Sequence, residues 1–274
     1  MTHRCFVCSA SFKKWGQALP VDDRLSRQWG LNKKELELYQ IREGRYCPLC
    51  HNSIRTIGLS KVLANSLLKE GSDSFYEIIK FANQKRLKIA EINGCGNLHK
   101  FLKEIKGLHY SEYGIRNLNG VRKEDIQKLS YDDNSFDIVL HSETLEHIPN
   151  PGKALSECNR ILKPNGWCFF TVPVIWNRET VQRIVSTQEG LKFKKSKSYH
   201  GGGKDDCIVW NEFGYDFVIN NNVKVFIDDF LSQSYVFGFR KNSNYKTPNI
   251  FFLKKLELIA RLLVLKKPIT PGEV

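Results

Sequence analysis

Apolar and polar positions alternate in two different ways along this chain. In its middle third, short apolar runs are separated by turn residues and by helix-like spacing. Leu87-Lys88-Ile89-Ala90-Glu91-Ile92 leads into Asn93-Gly94-Cys95-Gly96-Asn97 and then a helical pattern from Leu98 to Lys106. Leu108 to Glu112 reads as a second strand, and Phe136-Asp137-Ile138-Val139-Leu140 as a buried one, because a strand covered on both faces needs no polar alternation. A helix is predicted from about Ala154, and Phe169 to Pro173 reads as another strand. Before this run, apolar spacing predicts helices over Leu31–Ile41, Ser60–Leu68 and Ser74–Asn83, with Gly71 and Ser72 as a break. After it, residues 178–206 are polar and Lys-rich, which suits a solvated loop or a lid. Trp210–Ile219 reads as a helix, and Val223–Ile227 and Tyr235–Phe239 as closing strands. A last helix is expected over 249–267. Lys254, Glu257 and Arg261 share one of its faces, while Phe251, Phe252, Leu256, Ile259, Leu262, Leu263 and Val264 fill much of the rest.

The glycine turn after the first strand carries candidate chemistry. Glycine lets a backbone approach a ligand closely, and the next helix N-terminus offers unpaired N–H groups. Glu112 follows Glu91 by 21 residues, near the roughly 20-residue spacing at which a carboxylate reaches a ribose hydroxyl in dinucleotide folds.

Composition alters the picture at both flanks. The chain has 274 residues, 41% hydrophobic and 26% charged, as expected of a globular protein with room for one full domain and a small second one. Its net charge of +13 is concentrated at the ends: residues 1–55 hold ten Lys/Arg against five Asp/Glu, and 240–267 hold eight against one. Such flanks suit a phosphate-bearing partner. The first residues are polar, so no secretory leader is expected, and no run reaches the roughly 18 apolar residues of a spanning helix. A cytoplasmic location is expected. Four of the eight cysteines form two pairs, Cys5-Phe6-Val7-Cys8 and Cys47-Pro48-Leu49-Cys50. Each C-x-x-C puts two sulfurs on one tight turn, and tetrahedral Zn2+ takes four such ligands. A structural zinc held by Cys5, Cys8, Cys47 and Cys50 is expected, with free thiols or disulfides as the alternatives and His51 as a bystander.

The order of motifs from Glu91 to Pro173 resembles class I S-adenosylmethionine-dependent methyltransferases. The weight is carried by Phe136-Asp137-Ile138-Val139-Leu140, Leu145-Glu146-His147-Ile148-Pro149-Asn150-Pro151 and Arg160-Ile161-Leu162-Lys163-Pro164-Asn165-Gly166-Trp167. A nicotinamide-binding fold would leave the second and third segments unexplained. The glycine loop departs from the family's acid-x-Gly-x-Gly-x-Gly, since Asn93 takes a glycine place and Leu98 follows Asn97. "EINGCGNLH" with "YSEYG" resembles a narrower group associated with surface-polysaccharide synthesis.

The resemblance implies an α/β, Rossmann-like doubly wound, mostly parallel seven-stranded sheet with one late antiparallel strand, preceded by a small zinc-ribbon-like module. The expected division is a module at 1–58, a helical connector at 59–86, the methyltransferase domain at 87–241 and a basic amphipathic tail at 242–274. By resemblance Glu91, Asn93, Gly94 and Gly96 shape the loop for S-adenosylmethionine, and Glu112 binds the ribose. Asp125 with the Ile126 backbone reaches the adenine, and His141 and Ser142 lie near the methionine portion. For a hydroxyl acceptor a base must remove a proton. His141 and then His200 are the leading candidates, with Glu143 also considered and His147 read as fixing a turn. The expected acceptor is a sugar of a cell-surface glycan or its precursor, with peripheral contact to the inner membrane face through 249–267. RNA methylation and a non-catalytic cofactor-binding scaffold are the alternatives.

Overall fold

The computed structural model describes residues 2–19, 21–68, 72–114, 120–199, 208–221, 223–229 and 234–241. His200 and the helix expected over 249–267 lie outside the described residues. The main sheet has seven strands: β1 (Ile89–Ile92), β2 (Leu108–Glu112), β3 (Arg122–Lys123), β4 (Phe136–Ser142), β5 (Leu162–Thr171), β6 (Lys224–Asp229) and β7 (Ser234–Arg240). Their spatial order is β6-β7-β5-β4-β1-β2-β3. β7 is antiparallel to both of its neighbours, and the remaining pairs are parallel. The expected α/β doubly wound sheet, with one reversed late strand, is the architecture found. Chain order changes direction between β1 and β4, and the crevice at such a switch point is where open α/β sheets bind ligands.

Alternation along each strand sorts side chains to two faces. Ile89, Ile138, Leu140 and Phe169 meet α3 (Ile54–Leu67) and α4 (Phe75–Lys85) on one side. Ala90, Ile92, Val139 and Phe170 meet α6 (Pro151–Ile161) and α7 (Asp216–Asn220) on the other. Covering both faces explains why all four residues of β1 are buried and why Ile138-Val139-Leu140 of β4 shows no polar alternation.

Helix boundaries follow caps more closely than apolar spacing. The α3 helix starts well before Ser60, because Ser53 accepts from the Thr56 N–H. Likewise, α6 starts before Ala154, with Asn150 capping and Pro151 in the first turn. A capping box of Asn32 and Glu35 opens α2 (Lys33–Gly44), which follows the short α1 (Asp23–Trp29). The helix expected from Leu98 to Lys106 shrinks to a 3₁₀ turn over Gly96–Leu98 and a single turn, α5 (His99–Leu102). Two other expectations are corrected. Residues 211–214 form a strand rather than the start of a helix, paired with Val174–Ile175 and Val181–Gln182. Within the polar stretch after Arg178, Ile184–Thr187 pairs with Gly190–Phe193 as an antiparallel hairpin.

The N-terminal module is two small ribbons, His3–Arg4 with Ser11–Phe12 and Gly16–Gln17 with Arg45–Tyr46. It is joined to the sheet by a shared core: Cys5, Phe6, Val7, Phe12 and Cys47 pack in one cluster with Ile57, Phe75 and Phe169. The Phe75 N–H donates to the Phe6 carbonyl at 2.9 Å, pinning α4 to the first cysteine turn. Helix α3 runs through residue 58 without a break.

Gly107, at the entry to β2, leaves no room for a side chain, because a Cβ there would collide with the Leu87 carbonyl oxygen. Gly152 lies in the first turn of α6 with only Asn150 Oδ1 nearby, at 3.6 Å from such a Cβ. Gly107→Ala is expected to destabilise the protein by about 1–3 kcal/mol. Gly152→Ala should be neutral or stabilise it by roughly 0.4–1 kcal/mol. Urea denaturation of the two variants checks the contrast.

Candidate active site

Three turns meet at the carboxyl ends of β1, β2 and β4. In the first, Asn93 sits at φ +54° and Gly96 at φ +61°. Asn93 adopts the left-handed backbone that otherwise favours glycine, and its Oδ1 accepts from the Tyr113 N–H at 2.7 Å. Glu91 is fully buried, its Oε1 accepting from the Cys95 N–H at 2.7 Å and its Oε2 lying 2.6 Å from His99 Nδ1. Glu91 therefore clamps the loop from beneath. Its hydrogen bond raises the pKa of His99 against the opposing effect of burial.

Glu112 holds the loop from the side. Its Oε1 accepts from the Gly94 N–H at 3.0 Å and from the Tyr110 hydroxyl. Its Oε2 accepts no hydrogen bond among the described residues, which leaves one carboxylate oxygen for a ligand hydroxyl. A Cβ on Gly94 would lie 3.2 Å from that Oε1, so glycine permits the approach. Asp125 shapes the next turn, accepting from the Gln127 N–H at 2.8 Å, while the Ile126 side chain is buried in the core.

At the end of β4 the alternation decides between His141 and Ser142. His141 shares the face of Val139, is fully buried, and stacks on Phe170 with ring centroids 4.7 Å apart. Its ring lies in the core beside Cys158 of α6 and Cys168 of β5. A general base must reach the proton it removes, so this burial corrects the expectation that the His141 side chain acts as base or touches the cofactor. Ser142 points to the opposite face, where its Oγ bonds Thr171 Oγ1 at 2.7 Å and accepts from Arg55.

Glu143 follows at φ +50°, a costly conformation for this residue type. Arg42 and Arg55 meet its carboxylate at 3.3 and 3.7 Å, and both also pair with Glu43. Arg42 is 1% exposed, donates to the Val172 carbonyl at 3.1 Å and lies 4.5 Å from the Tyr235 ring centroid. Burial pushes the Glu143 pKa up, but the two guanidiniums outweigh it and leave the group below its usual value of 4.5. Glu146 is buried nearby, and desolvation followed by repulsion from Glu143 drives its pKa well up. His147 bonds the Ile208 carbonyl at 2.9 Å through Nδ1, a turn-fixing contact.

Between these turns and the N-terminal module lies a cavity of about 340 Å³ lined by Glu43, Tyr46, His51, Ser53, Arg55, Thr56, Gly96 and Asn97. Six of these eight residues precede the first strand, and the sequence pattern singled out none of the six as cofactor-binding or catalytic. The cavity carries both signs of charge, and its floor is the glycine loop.

The four expected metal ligands come together. Cys5 and Cys50 sulfurs are 3.7 Å apart, Cys8 and Cys47 sulfurs 3.8 Å, and all four lie within 4.8 Å of one another. A tetrahedron with metal–sulfur bonds of about 2.3 Å has edges of roughly 3.8 Å, so the spacing fits a tetrathiolate ion site. The two turns are built alike. The Ser9 and His51 N–H groups donate to the Cys5 and Cys47 carbonyls, and Ser9 and His51 both sit at φ +59°. His51 stacks on Tyr46 at 5.4 Å, outside the sulfur set.

Residues 93–170, from the glycine loop to β5, match the family model described as "Methyltransferase domain". Among curated proteins the chain is similar to the ubiquinone biosynthesis O-methyltransferase of Albidiferax ferrireducens. The identity is 28% over 156 residues, 54% of each chain. The protein of the same name from Photobacterium profundum is 27% identical over 171 residues, 62% of this chain and 68% of that one. That from Paracidovorax citrulli is 35% identical over 85 residues, 31% of this chain and 35% of that one. The chain thus spans about half the length of the first of these relatives. Among solved structures, an S-adenosylmethionine-dependent methyltransferase from Mesorhizobium loti aligns at a TM-score of 0.35 and 13% identity, covering 56% of this chain and 90% of that one.

The ion cluster makes a signed pH prediction. Because the Glu143 pKa is lowered on folding, its stabilisation is present above about pH 4.5 and is lost as pH falls through the folded value. Glu143→Gln should therefore melt lower than the parent protein at pH 7, and the gap should close in acid. Paired melting curves from pH 7 to pH 3 check it, and a constant gap would refute the assignment.

Proposed function

We propose that this chain is an S-adenosylmethionine-dependent methyltransferase that methylates a hydroxyl oxygen. The observation that carries this reading is the Glu91-clamped glycine loop beside Glu112 at the switch point of the sheet, inside a stretch that matches a methyltransferase domain. The bound sulfonium would supply an activated methyl group. The chain's task is to align that group with the acceptor and to remove the acceptor's proton.

The residues fit that task. Glu112 Oε2 is the acceptor for the ribose hydroxyls, and the Asp125–Ile126 turn serves the adenine side. The cavity above Gly96 and Asn97 offers Arg55 to a carboxylate and Glu43 to an ammonium group, as the amino-acid end of the cofactor requires. His51, on the cavity wall, replaces His141 as the described candidate base, beside His200. The base would take the proton from the acceptor hydroxyl as its oxygen receives the methyl group that the bound sulfonium would supply. Zn2+ in the tetrathiolate set would fill all its positions with sulfur, so its role is structural.

For the acceptor we take a sugar hydroxyl of a surface glycan or its precursor, on the strength of "EINGCGNLH" and "YSEYG". A hydroxyl of a ubiquinone-biosynthesis intermediate is the second reading, favoured by the O-methyltransferase names of the relatives. No helix among the described residues is long and apolar enough to cross a membrane. Contact with a membrane face therefore rests on the basic apolar segment 249–267, and RNA is the less favoured partner of the same charges.

S-adenosylhomocysteine should bind in calorimetry, and Glu112→Ala should lose about 1.5–3 kcal/mol of affinity through the missing hydroxyl bonds. Unchanged affinity would sink the ribose assignment. Labelled cofactor incubated with separated glycan, quinone-precursor and RNA fractions should mark the glycan. Label in either other fraction overturns the acceptor reading.

A further inference from the structure

The second cysteine turn is more than a fastening for the N-terminus, because the cavity is built on it. Cys47 and Cys50 fall within the Glu43–Thr56 stretch that supplies six of the eight lining residues. Tyr46 precedes the first of these cysteines, and His51 follows the second. The turn is closed by hydrogen bonds from the Cys47 N–H to the Asn52 carbonyl and from the His51 N–H to the Cys47 carbonyl, each 2.9 Å. Fully buried Asn52 also donates through Nδ2 to the Cys50 sulfur at 3.5 Å.

Two links run outward from this turn. The His51 carbonyl accepts from Asn97 Nδ2 at 2.9 Å, which ties the glycine loop to the cysteine turn. Ser53 caps α3, whose first turn sends Arg55 across to Ser142, Glu43 and Glu143. Tyr46 is held between the His51 ring and Gly16, where any Cβ would collide with the tyrosine ring. The left-handed backbone at His51 fixes where its carbonyl points, and the sulfurs on either side of Pro48-Leu49 fix the turn that sets that backbone.

We infer that the metal-bearing Cys47–Cys50 turn is the positioning element of the cofactor cavity, so that metal binding and cofactor binding are thermodynamically linked. The inference rests on the reading of the cavity as a cofactor site. Without the ion, nothing ties the four sulfurs together at 3.7 and 3.8 Å across the two turns. The turn, the His51 carbonyl and the α3 cap then lose the geometry that holds Asn97 and Arg55. A metal that only fastens residues 1–55 would leave cofactor affinity untouched. Linkage must also be reciprocal, so cofactor has to tighten metal binding by the same factor.

The test uses the full chain, zinc-loaded and chelator-depleted, with S-adenosylhomocysteine as the probe. Calorimetry is expected to show at least ten-fold weaker probe binding after depletion, with the circular dichroism of the sheet domain retained. Competition against a chromogenic chelator should show zinc held more tightly by the same factor when the probe is present. Asn97→Ala should keep its zinc but show a smaller coupling factor in both measurements. Equal probe affinity in loaded and depleted protein overturns the inference while leaving the cofactor reading intact. If neither form binds the probe, the cofactor reading itself fails and the inference falls with it. Should depletion unfold the whole chain, Asn97→Ala decides: an unchanged effect of the probe on zinc affinity would overturn the link.

Discussion

A guanidinium with almost no solvent contact has to be paired, and Arg42 meets that demand from four directions. Glu43, Glu143, the Val172 carbonyl and the Tyr235 ring surround it. These partners come from α2, the turn after β4, the segment after β5 and β7. Removing one side of a buried pair exposes the other to an uncompensated desolvation cost of about 3–5 kcal/mol. The N-terminal module therefore sits in one place on the sheet, with its helix α2 locked over the switch point. Arg55 extends the same network from α3 to Ser142. Because these charges lie where the strands end, the interaction that docks the module also shapes the cavity beneath it.

Backbone strain collects at the same place. Asn93, Gly96 and Glu143 all take left-handed conformations in the turns after β1 and β4. Asparagine and glycine tolerate this with little penalty, whereas glutamate does not. The strain at Glu143 is offset by its two arginine partners, and it aims the carboxylate toward the module instead of along the strand. Asn93 suits this turn: the position needs a left-handed residue, and the asparagine side chain adds a hydrogen bond from the Tyr113 N–H.

The sheet was legible because its signals are local. The short β-branched and apolar run Ile138-Val139-Leu140 suits a strand covered on both faces, and Glu91 and Glu112, 21 residues apart, lie toward the ends of neighbouring strands. The cysteine pairs were legible for the same reason, each being a complete half-site. What escaped was whatever depended on distant partners. Nothing near Arg42, Glu43 or Arg55 marks them as site residues, since their partners lie 87 and more positions away in the chain for Ser142 and Glu143. At His141 the limit is of a different kind. Position at a strand end does not by itself bring a side chain to the crevice, because period-two alternation sends neighbouring side chains to opposite faces, and Ser142 faces the module. The hairpin at 184–193 leaves no pattern in the sequence because its strands are mostly exposed, with Ile184 the buried exception.

The module's own means are slender, and this gives the sulfurs their weight. Its ribbons are pairs of two-residue strands, and two-stranded pieces of that size are not stable alone in water. Its apolar side chains are spent against α3, α4 and the sheet, leaving the second cysteine turn between that core and an open polar cavity. On the cavity side the turn is held by hydrogen bonds and by the stacking of His51 on Tyr46. A tetrahedral ion would add rigidity without bulk, holding two loops whose cysteines are 39 and 45 residues apart in sequence by four bonds. A hydrophobic cluster large enough to replace it would have to fill the space that Tyr46, His51 and Asn97 leave open. The sulfur cluster thus permits a cavity wall to be both rigid and polar, which an ordinary core could not do at this edge of the sheet.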